Sequence, residues 1–193
     1  MTETQAIREP RPRRYHAMLT AAWVIILLAG GAALLPLLER TSGARLVGAL
    51  LLAAGVAELM AGTLRKSARV ATMMAGAVTM VAGVLFLLRP ETKFLPTLYV
   101  ITAWLLIRSL ANIAAAVMAT GSTRRWSFVS GLTDLLLGLL SLAGLSAYTL
   151  VVTLFGPTPQ VIANFAWFLA VSFVTTGIYL LEVGNCEREA AGA

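Results

Sequence analysis

Six long apolar segments follow one another along this chain, and they constrain its fold more than any other feature. They run approximately over residues 17–38, 44–63, 70–88, 95–120, 127–155 and 160–183. A helix of about 20 apolar residues, rising about 1.5 Å per residue, crosses a hydrocarbon core of about 30 Å. Only 12% of the residues are charged, against about 25% in soluble domains. The chain is therefore predicted to be an all-α polytopic membrane protein with a six-helix transmembrane domain over residues 17–183.

The basic residues lie in short clusters between the apolar segments, and they predict the orientation. Ten Lys and Arg residues lie in the two tails and in the loops after segments two and four, and four lie in the remaining loops. By the positive-inside rule, both termini are predicted to be cytoplasmic. Residues 1–16 are expected to form a disordered basic leader, and residues 184–193 a short cytoplasmic tail. Although the net charge is +6, the basic residues are distributed over several loops and do not indicate binding to a nucleic acid.

The sequence contains few of the residues and motifs that enzymes use. A single Cys186 and a single His16 exclude a disulfide framework, a two-cysteine redox site and a multi-histidine metal site within one chain. The sequence motifs of hydrolases, phosphate-binding loops and zinc proteases are also absent. We therefore expect a protein that is not an enzyme, with no catalytic residue, no cofactor and no metal.

Weak internal repetition divides the six segments into three helical hairpins. Residues 30–36 and residues 82–90 each contain a glycine, an apolar run and a proline at the outer end. The third hairpin keeps only the glycine, Gly138, because its first helix continues to the prolines at 157 and 159. The pattern indicates a triplicated helical hairpin.

Glycines recur at intervals of seven residues on three of the predicted helices. Rows of this kind place small residues on one helix face, which lets two helix backbones approach closely within a bilayer. We therefore predict helix-packing seams, within one chain or between subunits. The seam residues are Gly48, Gly55 and Gly62 in the second segment, Gly76 and Gly83 in the third, and Gly131 and Gly138 in the fifth.

Three ionisable residues, Glu58, Arg108 and Asp134, lie inside the apolar segments. A charge at this depth costs about 2.5 to 3.5 kcal/mol on insertion scales, so these residues are expected to pair with one another. Asn112 lies one turn from Arg108 on the same face and completes the predicted intramembrane polar network. Three interpretations remain open: a structural ion-pair network, a proton-binding site in which two carboxylates share one arginine, or a site for an anion or a lipid head group near Arg108.

Several short motifs resemble the HdeD-like membrane proteins. They are residues 31–36, the sequence Gly-Val-Ala-Glu-Leu at 55–59, residues 83–90, and the run from Trp104 to Ile113 that contains Arg108 and Asn112. The resemblance spans roughly residues 17–185, and the third hairpin departs from it by lacking the early proline. It implies a multi-pass protein of the bacterial inner membrane that is linked to acid resistance, with no established enzyme activity.

Three functions are compatible with these features. The first is a non-enzymatic, self-associating membrane protein of HdeD type that supports acid or envelope stress tolerance. The second is a small proton-coupled transporter or channel that uses Glu58, Asp134 and Arg108. The third is an accessory subunit that docks on a larger membrane complex through its glycine seams. The expected partners are thus the lipid bilayer and either a second copy or another membrane protein.

Overall fold

Six long helices form the part of the protein that the computed structural model describes, which is residues 11–37, 40–65, 68–88, 94–156 and 159–189. The helices are α1 (Arg11–Ala33), α2 (Arg40–Leu64), α3 (Arg69–Leu88), α4 (Phe94–Met118), α5 (Gly121–Phe155) and α6 (Pro159–Glu189). Each contains a stretch that is long and apolar enough to cross a membrane. The predicted all-α fold with six transmembrane helices is therefore confirmed.

The first and last helices reach beyond the predicted transmembrane domain. Helix α1 begins at Arg11, so residues 11–16 of the predicted leader are helical, whereas residues 1–10 lie outside the described part. Helix α6 continues to Glu189 and takes up most of the predicted tail. Proline is tolerated in the first turn of a helix, and Arg and Glu are good helix formers, so neither Pro12 nor the charges interrupt the helices.

The ends of α5 show why this helix is the longest. It contains no internal proline, and it stops only at Gly156, whose N–H still donates to the carbonyl of Val152 at 3.0 Å but whose positive φ of 75° turns the chain out of the helix. Glycine adopts this conformation without steric penalty. Helix α6 then starts with Pro159 in its first position, where the missing N–H has no helical partner to lose.

The six helices form a closed ring. Each helix packs against its neighbours in the chain, and α1 packs against α6. The most extensive contacts are α2 with α3, α4 with α5, and α1 with α6, whereas the two helices within each predicted hairpin contact each other less. Each of the tightest pairs therefore joins helices from two different predicted hairpins.

Glycines lie at all three of the tightest helix pairs. A Cβ placed on Gly55 would lie 2.5 Å from the backbone nitrogen of Met80 in α3, and one on Gly83 would lie 2.9 Å from the carbonyl of Gly48 in α2. Gly131 and Gly138 face Ile113 and Leu106 of α4 in the same way. The sequence analysis did not single out Gly177, which packs against Ile26 and the carbonyl of Ala22 in α1. The predicted seam glycines Gly62 and Gly76 also face the neighbouring helix, across from Met73 and Leu59.

The ring has one end that carries most of the described basic side chains. Helix α2 ends there and helices α3 and α5 begin there, with Arg65, Arg69, Arg124 and Arg125 close to these helix ends. We call it the Arg-rich end. Apolar side chains, including Ile25, Leu51, Leu105 and Phe173, fill the interior between the two ends, and the polar residues described next are embedded among them.

Candidate functional site

Arg108 lies at the centre of a buried charge cluster. Its Nη2 donates to Glu58 Oε1 at 2.5 Å, and its Nη1 donates to Asp134 at 3.2 Å (Oδ2) and 3.4 Å (Oδ1). These three side chains come from α4, α2 and α5, and they are only 0% to 3% exposed. The structure therefore brings together all three ionisable residues that the sequence places inside the apolar segments.

Two hydroxyl groups of α6 complete the shell around the guanidinium. Ser172 Oγ accepts from Arg108 Nη1 at 2.6 Å and donates to Asp134 Oδ1 at 2.6 Å. One turn later, Thr176 Oγ1 accepts from Arg108 Nη2 at 2.6 Å and donates to the carbonyl of Ser172. Neither residue was predicted from the sequence; their spacing of four puts them on one face of α6.

Glu58 is held on its other side by α3 and α4. Its Oε2 lies 3.3 Å from Thr79 Oγ1, which also accepts a hydrogen bond from Trp104 Nε1 at 3.1 Å. The Trp104 ring lies 5.4 Å from the guanidinium carbon of Arg108, within the range of a cation–π contact. Trp104 therefore contacts the arginine and orients the threonine that faces the glutamate.

Asp134 accepts hydrogen bonds from more side chains than Glu58 does. In addition to Arg108 and Ser172, Asn112 Nδ2 donates to Asp134 Oδ2 at 3.1 Å and lies 3.5 Å from Ser130 Oγ. The predicted network of Glu58, Arg108, Asn112 and Asp134 is thus contiguous in space. The five helices α2 to α6 all contribute to it, whereas α1 supplies apolar side chains to the core.

The composition of this cluster limits what it can do chemically. One guanidinium faces two carboxylates, so the cluster carries either one net negative charge or one bound proton. In the described part of the chain, no group of three or more His, Cys, Asp or Glu residues could hold a metal ion. A separate groove, lined by Tyr99 of α4 and by α5 residues from Leu142 to Thr153, contains none of the network residues.

Comparison with known proteins gives one match. Residues 74–143 match the family described as a short repeat of unknown function (DUF308), which is the domain family of HdeD-like membrane proteins. The matched segment covers most of α3, all of α4 and much of α5, and it contains Arg108, Asn112 and Asp134. No curated protein and no solved structure matches the chain.

Proposed function

We propose that this chain is a non-enzymatic membrane protein of HdeD type, which acts through its assembly in the bilayer and supports tolerance of acid or envelope stress. The match of residues 74–143 to the short repeat family supports this assignment. So do the motifs over residues 31–36 and 55–59, which lie outside the matched segment. The proposal includes the bacterial inner membrane as the location, with both termini in the cytoplasm, because the Arg-rich end then faces inward.

The burial of the charge network is the observation on which the proposal depends. Glu58, Arg108 and Asp134 are at most 3% exposed, and each binds partners inside the same chain. A substrate or solute must reach the groups that act on it, and here those groups are packed among side chains of five helices. A network of this kind favours a structural role, in which it fixes the relative register of the helices.

Self-association is proposed from the exposure of α5. Only 11% of its most apolar window is buried within the chain, compared with 39% to 56% for the other five helices. Its outward leucines include Leu136 (53% exposed) and Leu140 (60% exposed). We propose that a second copy covers part of this face, because the other helices of the chain bury little of this window.

The assembly is tested by the mass of the protein in mild detergent. Replacing Leu136 and Leu140 by Trp should shift the wild-type oligomer to a monomer of 20.4 kDa plus detergent. Leu27→Trp on α1, at a position that is 73% exposed, is the matched control and should leave the oligomer intact. A wild-type monomer, or an oligomer with unrelated chains as an accessory subunit would form, would contradict the proposal.

The biological role is tested by survival. Cells that express the wild-type protein should survive exposure to strongly acidic medium better than cells that carry an empty vector. Cells that express the Leu136 and Leu140 double variant should lose this advantage if assembly is required. Equal survival of wild-type and empty-vector cells would count against a role in acid tolerance.

A proton-coupled transporter or channel is the second candidate, and the charge imbalance of the network favours it. Because two carboxylates share one guanidinium, the cluster is able to hold a proton. Liposomes that contain the protein and a pH-sensitive dye distinguish the two candidates. Our proposal expects the same proton leak as in protein-free liposomes. A flux that Glu58→Gln abolishes, and that the control Glu182→Gln outside the network preserves, would establish the transporter instead.

A further inference from the structure

A second arginine is buried at the Arg-rich end of the bundle. Arg65 comes directly after the last residue of α2 and is only 3% exposed. Its Nη1 donates to Thr72 Oγ1 at 2.5 Å and to the hydroxyl of Tyr179, and its guanidinium carbon lies 5.0 Å from the Tyr179 ring centroid. Ser127 of α5 donates to the same tyrosine hydroxyl at 2.9 Å. Residues from α3, α5 and α6 therefore hold this side chain in one position.

The remaining donors of Arg65 have no hydrogen-bond partner among the described residues. Both Nε and Nη2 are buried, and neither forms a hydrogen bond in the described part of the chain. Nor does any carboxylate of the described residues lie within ion-pair distance of Arg65, in contrast to Arg108, which has two. A buried cation without a counter-charge costs several kcal/mol, so an anion bound at this guanidinium would stabilise the folded protein.

The geometry of the free edge indicates the chemical class of that anion. In a guanidinium group, the Nε–H and Nη2–H bonds point in the same direction and form a two-donor fork. This fork matches two oxygens of a carboxylate or a phosphate. The third nitrogen, Nη1, is already occupied by Thr72 and Tyr179, so the unpaired donors of the group are those of the fork.

The surroundings of Arg65 favour a phosphate from the membrane surface. Arg69, Arg124 and Arg125 are exposed at the same end, and α3 and α5 direct their N-terminal dipoles toward it. Helix α2 has 25 residues and is therefore about 37 Å long, longer than the hydrocarbon core of about 30 Å. Arg65, just past its end, reaches the depth of the headgroups, and basic pockets between helices at this depth bind anionic lipids.

We propose that Arg65 binds a phosphate group, through its Nε and Nη2 donors, between α2, α3, α5 and α6. The phosphodiester of an anionic phospholipid headgroup and free inorganic phosphate share this chemistry. This proposal is independent of the proposed function, because it concerns neither the Arg108 network nor the outer face of α5.

Thermal unfolding of the full chain in mild detergent tests the site, with phosphatidylglycerol, phosphatidylcholine or inorganic phosphate added in separate experiments. Phosphatidylglycerol should raise the Tm of the wild-type protein more than phosphatidylcholine does. Arg65→Gln should weaken the apparent affinity for phosphatidylglycerol about tenfold or more, since two charged hydrogen bonds are lost. Arg69→Gln removes an equal but exposed charge from the same end and should change the affinity by less than about threefold.

Further outcomes distinguish a phospholipid headgroup from free inorganic phosphate as the ligand. If millimolar inorganic phosphate gives the same protection as phosphatidylglycerol, the site binds the free anion. Arg65→Lys keeps the positive charge but lacks the two-donor fork, so it replaces Arg65→Gln in the test if that variant does not fold. It should also bind the lipid more weakly than the wild-type protein does. Equal responses of the Arg65 variants, Arg69→Gln and wild type to phosphatidylglycerol and to inorganic phosphate would overturn the proposal.

Discussion

Gly55 provides the sharpest test of the packing between α2 and α3. In Gly55→Ala, the added Cβ would lie 2.5 Å from the Met80 nitrogen and 2.9 Å from the Gly76 carbonyl, whereas ordinary contacts begin at 3.4 Å. The two helices must therefore move apart by roughly 0.9 Å at this point, because the atoms it meets belong to the backbone and have no rotamer to change. We expect the free energy of unfolding to fall by about 1 to 3 kcal/mol.

Gly30→Ala is the matched control for this change. A Cβ on Gly30 of α1 meets nothing within 4 Å, so the same substitution should leave the stability unchanged or raise it by up to about 1 kcal/mol through helix propensity. Gly138→Ala should lie between the two, because its nearest neighbours are side-chain atoms of Leu106 and Leu105 that are able to shift. The three variants thus rank by how close the neighbouring atoms lie and by whether those atoms are able to move.

Reversible unfolding in mixed SDS and mild-detergent micelles, followed by circular dichroism, measures these differences. The order of stability should be Gly30→Ala first, Gly138→Ala second and Gly55→Ala last. Equal losses in Gly55→Ala and Gly30→Ala would refute the reasoning, because both changes add the same methyl group to a helix. A Gly55→Ala protein as stable as wild type would show that α2 and α3 do not approach this closely.

Three other measurements test the remaining features. Arg108→Leu should destabilise the protein by about 3 to 5 kcal/mol because it leaves two buried carboxylates without their partner. Adding Asp134→Asn should recover part of that loss, and equal losses in the single and double variants would contradict the ion pairing. Trp104→Phe should cost about 1 kcal/mol through the lost hydrogen bond, whereas Trp167→Phe, at a 59% exposed position, should have no effect. An impermeant thiol reagent should label Cys186 only after the cells are permeabilised, and labelling in intact cells would reverse the proposed orientation.

The sequence was sufficient to predict the helices and the charged centre of the network. Length and hydropathy alone determine a transmembrane helix, so the predicted segments agree with α2 to α5 to within a few residues, except that α5 starts earlier than expected. Charged residues are rare inside such segments, which makes Glu58, Arg108 and Asp134 conspicuous. Their mutual pairing followed because the bilayer offers no other partner.

Other parts of the site depend on tertiary packing and could not be read from the sequence. Ser172 and Thr176 resemble the many hydroxyl residues of membrane helices that bond only to their own backbone, so nothing marks them as ligands of Arg108. Arg65 belongs to a basic cluster of the kind that normally sets topology, and its burial follows from the packing of Tyr179 of α6 over it. The pairing of α1 with α6 joins residues that are far apart in the sequence, and no local pattern indicates it.

The contact between α1 and α6 means that the ring closes late in biosynthesis. Residues 34–158 separate the two helices, so at about 5–20 residues per second α1 waits roughly 6 to 25 s for its partner to be synthesised. This is the time before synthesis of α6 begins, and Arg108 of α4 is made within it, before the two hydroxyl groups of α6 are present. A chain that stops before α6 therefore lacks two of the four side chains to which Arg108 donates in the complete bundle.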